Sequence, residues 1–97
     1  MRHEIILAPE ASKHFQRLRA HIRAAVRDAL ETHLRFEPTK SSKSRIKRLR
    51  GMKRPQYRLR VDEVRVYYDV TENTVEVLAI VTKSEAQAWL ERKGERT

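Results

Sequence analysis

The sequence predicts an α+β fold, with an N-terminal strand and a two-helix hairpin packed on one face of a mostly antiparallel four-stranded sheet, and a C-terminal helix. Three observations predict it. Apolar residues recur at helical spacing from Phe15 to Leu34, they alternate at strand spacing from Tyr57 onward, and a capping pattern near Ser84 opens another helix. Strand, helices, strands and helix in that order segregate into layers rather than alternating as βαβ units.

His3–Leu7 is a short β-rich run ended by Ala8-Pro9. Pro9 and Glu10 suit a first helical turn, where proline loses no hydrogen bond and an acid meets the positive end of the dipole. Phe15, Leu18, Ile22, Val26, Ala29, Leu30 and Leu34 then keep one face until Glu37-Pro38. A single helix over Pro9–Phe36 would be roughly 42 Å long at ~1.5 Å per residue. A domain of this size has a radius of gyration near ~13 Å, so the helix is expected to break near Arg19–His21. Thr39–Ser44 reads as a polar loop, Ile46–Arg50 as a short extended segment ended by Gly51, and Val75–Val81 as the last strand, its core face carrying Val75, Val77, Ala79 and Val81. Leu78 and Ile80 then fall on the opposite face. Ser84 with Gln87 forms a capping box for a helix over roughly Glu85–Lys93, after which the GERT tail is expected to fray. Residues 1–97 form one domain without repeats or linker.

The central stretch, Gln56–Asp69, separates its residues by chemistry when folded about an Asp62-Glu63 turn. Val61 then faces Val64, Arg60 faces Arg65, Leu59 faces Val66 and Arg58 faces Tyr67. One face is apolar, with Tyr57, Leu59, Val61, Val64, Val66 and Tyr68; the other carries Arg58, Arg60, Arg65 and Tyr67. Like charges directly opposite each other destabilise a sheet, and such local violations concentrate at functional sites. The natural occupant is a polyanion. The composition agrees, with 22 Lys and Arg against 13 Asp and Glu and a net charge of +9 spread along the chain. There is no cysteine, hence no disulfide framework or thiolate zinc site. No apolar run reaches the length of a signal or membrane segment. A soluble cytoplasmic protein without membrane contact is expected.

The segments LAPEASKHFQRL, RIKRLRG, QYRLRVDEVRVYYDV and VLAIVTKSEAQAW resemble the RelE/ParE superfamily of bacterial and archaeal toxins, nearest to RelE-type ribosome-dependent mRNA endonucleases. The resemblance spans essentially the whole chain. It implies a type II toxin–antitoxin toxin, mRNA in the ribosomal A site as substrate, a cognate antitoxin with an acidic or amphipathic segment, and operator DNA met only through that antitoxin. Position by position it assigns catalysis to Arg58, Arg60, Arg65 and Lys83. Trp89 stands where many members carry a tyrosine, and an indole can stack on a base but cannot exchange a proton as a phenol does.

RelE-type chemistry requires a base for the ribose 2′-OH, cations on the phosphoryl oxygens and an acid for the 5′-oxygen. Guanidinium forks match phosphate but do not deprotonate. Lysine can be moved toward neutrality when packed among cations, so Lys83, Lys47 and Lys53 are the proton-transfer candidates, with Tyr67 behind them. Lys83 is assigned as the acid, and the base is left open. Trp89, Tyr67, Lys47 and Lys53 are expected to contact substrate. His3, His14, His21 and His33 lie on the N-terminal elements, away from this face, and no cluster has metal-ligand spacing, so neither metal nor other cofactor is expected. Competing readings are a solvated sheet face, a ParE-like non-catalytic gyrase inhibitor, an inactive homologue that only binds its antitoxin, and Trp89 as a plug sealing the last helix on the sheet.

Overall fold

Proline at the first helical position and Glu10 in the first turn open helix α1 where expected, at Pro9–Arg17, after strand β1 at Glu4–Leu7. The computed structural model describes residues 2–97. Helix α2 follows at Ala20–Leu34, so the break falls at Leu18-Arg19, at the leading edge of the predicted bend. Both residues sit in ordinary extended backbone, with φ of −67° and −61°. No glycine or proline is needed there, which is why none marks the turn. The Arg23 guanidinium donates to the Leu18 carbonyl at 2.9 Å, supplying a donor where α1 leaves carbonyls unpaired.

The remaining elements are β2 (Ile46–Arg48), β3 (Met52–Arg54), β4 (Tyr57–Val61), β5 (Val64–Val70), β6 (Thr74–Thr82), α3 (Lys83–Lys93) and β7 (Glu95–Arg96). The main sheet has five strands in the order β1-β6-β5-β4-β2, rather than the four expected. The extra member is β1, which joins the edge parallel to β6, while the other pairs are antiparallel. Helices α1 and α2 cover one face, where Ala11, Val26, Leu30 and Leu34 bury against Leu59, Val66, Tyr68, Val75 and Val77. Tyr68 anchors this core to the loop after α2, its hydroxyl donating to the Pro38 carbonyl at 2.7 Å. Among the described residues no helix is long and apolar enough to cross a membrane.

The opposite face, which carries the arginines, also holds a second apolar cluster of Tyr67, Leu78, Ala79, Val81, Ala86 and Trp89 beneath α3. A bulge in β6 creates it. Tyr67 pairs with Ala79 but Tyr68 with Val77, so Leu78 is an extra residue and the side-chain alternation shifts by one. Ala79 and Val81 therefore cross to the arginine face, and Ile80, expected there, turns into the first core. Beyond β1 the edge of β6 is unpaired, and the Ile80 amide donates instead to His14 Nδ1 at 3.1 Å.

The start of α3 and the tail that follows it differ from expectation, while its end at Lys93 is as expected. The N-cap is Thr82 and its partner Glu85, not Ser84 and Gln87, because the helix begins at Lys83 directly from the strand. The tail does not fray: β7 pairs with β3 in a separate two-stranded sheet, and the Thr97 amide donates to the Gly51 carbonyl at 3.1 Å. Gly51, at φ +72°, takes the left-handed conformation between β2 and β3.

Candidate functional site

The β4–β5 hairpin forms in the predicted register, with Arg60 opposite Arg65 and Arg58 opposite Tyr67. Asp62, the first turn residue, adopts φ 51°, a conformation that aspartate tolerates better than most side chains. Lys47 pairs with Arg58 across β2 and β4, so one row of the sheet reads Lys47, Arg58, Tyr67, Ala79. The next row reads Arg60, Arg65, Val81.

Arg60 is exposed, Arg58 half-buried and Arg65 only 7% exposed. Arg65 donates to the Asp62 and Val64 carbonyls at 2.7 and 3.0 Å, so its guanidinium also braces the hairpin turn. Burial, reinforced by Arg58 and Arg60, pulls Arg65 below the ordinary guanidinium value. Among the described residues none of the three arginines forms an ion pair with a carboxylate. Arg58 Nε is buried without a hydrogen-bond partner. Three clustered cations with no ion-paired carboxylate and an unused buried donor form a place where an anion replaces lost hydration.

Lys83 is exposed at the first position of α3, and its backbone amide donates to the Glu63 carbonyl at 2.7 Å. That bond fixes the start of the helix beside the hairpin turn and the Arg60–Arg65 pair. Tyr67 is placed differently from expectation, while Trp89 takes the place of the plug that seals α3 on the sheet. Their rings stack at 5.3 Å and 7°, with 4% and 2% exposure, and the indole N–H donates to Glu10 Oε1 at 3.0 Å. The indole face predicted to stack on a base is thus covered by Tyr67, and Tyr67, expected to contact substrate, does not lie on an open surface. Burial pushes its phenol above the ordinary value, against the pull of Arg58 and Arg65, so it keeps its proton at neutral pH.

Lys47 belongs to the cluster and also enters an open groove of about 550 Å³ between α3 and the β2–β3 turn. Leu49, Met52 and Leu90 line its floor, and Lys47, Arg50 and Arg96 supply its charge, with Gln87 at the side of α3. Lys53 is exposed on β3 but does not line this groove. Arg50, Arg96 and Glu10 were missed from sequence. Only the tertiary closure of β7 on β3 and of α3 on α1 gives them a place. Among the described residues no cluster of three His, Asp or Glu side chains is arranged to hold a metal ion.

A family model described as ParE toxin of type II toxin-antitoxin system, parDE, matches residues 5–87. The fold is similar to that of Escherichia coli toxin RelE, a double arginine-to-alanine mutant in the free state, with a TM-score of 0.69 and 20% identity over 96% of this chain and 99% of that one. It is also similar to a chain of the Mycobacterium tuberculosis toxin–antitoxin complex RelBE2 (TM-score 0.68, 22% identity, 84% and 99% coverage). A third is a chain of the archaeal RelE–RelB complex from Pyrococcus horikoshii (0.64, 24%, 86% and 97%). No curated protein matches the sequence.

Proposed function

The chain belongs to the ParE toxin family of type II toxin–antitoxin systems, and we propose that it is a metal-independent endoribonuclease cutting mRNA in the ribosomal A site. The carrying observation is the group of three arginines with no carboxylate partner, one of them holding a buried unpaired Nε. In the proposed reaction a ribose 2′-oxygen forms a bond to the adjacent phosphorus as the bond to the 5′-oxygen breaks. The products are a 2′,3′-cyclic phosphate and a 5′-hydroxyl end. Arg58, Arg60 and Arg65 hold the non-bridging oxygens as their charge grows, Lys83 gives the leaving 5′-oxygen its proton, and a base without an assigned residue takes the proton of the 2′-hydroxyl. Lys47 steers the neighbouring phosphate. A cognate antitoxin with an acidic or amphipathic segment completes the system and neutralises the same cations, operator DNA being met only through it.

One observation favours a second reading, a non-catalytic gyrase inhibitor. Tyr67 and Trp89 are sealed against each other, which leaves the arginine face with lysines alone for proton transfer. Primer extension on a message translated in a reconstituted ribosome system separates the two. The endonuclease gives codon-spaced cuts, and Lys83→Arg, which keeps the charge but not a readily transferable proton, lowers the single-turnover rate far more than binding. Intact message together with inhibited supercoiling overturns the endonuclease reading.

A further inference from the structure

We propose that the groove walled by the C-terminal strand is a subsite for the nucleotide of single-stranded RNA next to the scissile phosphate, with Arg96 as its outer phosphate ligand. The inference rests on the RNA-cleaving reading and extends it to residues outside the family match, which ends at Gln87. Arg96 is held in place from both sides. Its strand pairs with β3 at Met52, and the Thr97 amide bonds to the Gly51 carbonyl at 3.1 Å. The Gly94 amide closes α3 onto the Leu90 carbonyl at 2.8 Å, and a Cβ at Gly94 would collide with that same oxygen at 2.5 Å and with Met52 Cε. The turn into β7 therefore runs close against α3, which sets Arg96 at the groove before any ligand arrives. Preorganisation of this kind spares ordering cost on binding.

The charge pattern selects the occupant. The lining holds Lys47, Arg50 and Arg96 and no acid, and Lys47 lies opposite Arg58 on the neighbouring strand. Strands are ~4.8 Å apart, so a polymer with one phosphate among the arginines meets Lys47, itself part of the groove lining, at its next backbone step. A polynucleotide carries an anion at every step, whereas an acidic peptide does so only in part. Two of the three groove cations are arginines, whose forks fit phosphate oxygens. The floor of Leu49, Met52 and Leu90 is aliphatic, so it packs against ribose and base edge rather than stacking.

The test uses 2′-O-methyl RNA oligonucleotides, which lack the attacking hydroxyl, with affinity measured by fluorescence anisotropy across a salt series. The slope of log affinity against log salt should be shallower in Arg96→Ala by about 0.7, the single-strand value for one phosphate contact. Glu95→Gln, on the same strand, should keep the parental slope. An unchanged slope in Arg96→Ala overturns the subsite, as does the absence of RNA binding by the parent protein at low salt. If Arg96→Ala weakens binding of a polyglutamate peptide and leaves RNA binding untouched, the groove belongs to an acidic protein segment and the inference fails. Codon-spaced cuts with an unchanged slope sink the subsite alone. A shifted slope without cuts sinks the endonuclease reading alone.

Discussion

Truncating Trp89 should detach α3 from the sheet, and the size of the effect follows from its contacts. The indole is 4% exposed, stacks on Tyr67 at 5.3 Å and donates to Glu10 at 3.0 Å. Removing a buried Trp costs about 3–5 kcal/mol, a large fraction of the ~5–15 kcal/mol that holds a domain together. At ~4–8 °C per kcal/mol for a domain of this size, a loss of about 4 kcal/mol lowers Tm by roughly 16–32 °C. Trp89→Phe keeps a ring against Tyr67 but loses the indole donor, which costs about 1–2 kcal/mol. Glu10→Gln retains an oxygen acceptor and should be milder still. Thermal unfolding followed by circular dichroism measures all three. Trp89 is the only tryptophan, so its emission in the parent reports α3 directly and should change together with the backbone signal. A Trp89→Ala protein that melts with the parent would show that the indole does not seal α3, and the stacking role on a base would return.

Three further expectations use the arginine face and a half-buried histidine. Arg60 is exposed, so Arg60→Ala should leave stability within about 0.5 kcal/mol while reducing toxicity; full toxicity removes Arg60 from the site. Arg65→Ala should lose both toxicity and about 1.5–3 kcal/mol, because its charged hydrogen bonds to Asp62 and Val64 go with it. Urea unfolding of the two variants side by side checks the difference, and equal stability refutes the bracing role. Burial and the Arg45 charge hold the His33 imidazole below its ordinary value of 6.5. Between the folded value and 6.5 the unfolded chain binds a proton that the folded chain refuses, so stability falls as pH drops through that window. His33→Gln should flatten that part of the urea-midpoint profile, and an unaltered profile removes His33 as its cause.

Local pattern carried the sequence reading a long way. Pro9 and Glu10 fixed the start of α1, and alternation fixed the β4–β5 register down to Arg60 opposite Arg65. It failed where a position depends on distant chain. The bulge at Leu78 has no signature in a run of Val, Leu, Ala and Ile, because every residue there suits either face. Without the bulge, Ala79 and Val81 do not show as the landing surface for α3, and strand alternation alone leaves Tyr67 uncovered among the arginines. The capping box slid by two residues because Thr82 and Ser84 are equally good caps, and only the length of β6 decides between them. The arginines were legible because their misfit is local. Arg50 and Arg96 were not, since the groove they share exists only after β7 has folded back.

The hydrogen bond from Trp89 to Glu10 joins residues 79 positions apart, and β6 takes β1 as its outer neighbour. Contacts of such long span form late, because the loop they close must lose its entropy first. A chain emerging residue by residue from a ribosome can build the helical hairpin early, but nothing joins β1 to β5 until β6 arrives. The helix that flanks the arginines is fixed later still, when Lys83–Lys93 meets the beginning of the chain. The cationic face thus waits for α3 before it has its flank, and for most of its synthesis the polypeptide holds its arginines without the frame that aligns them.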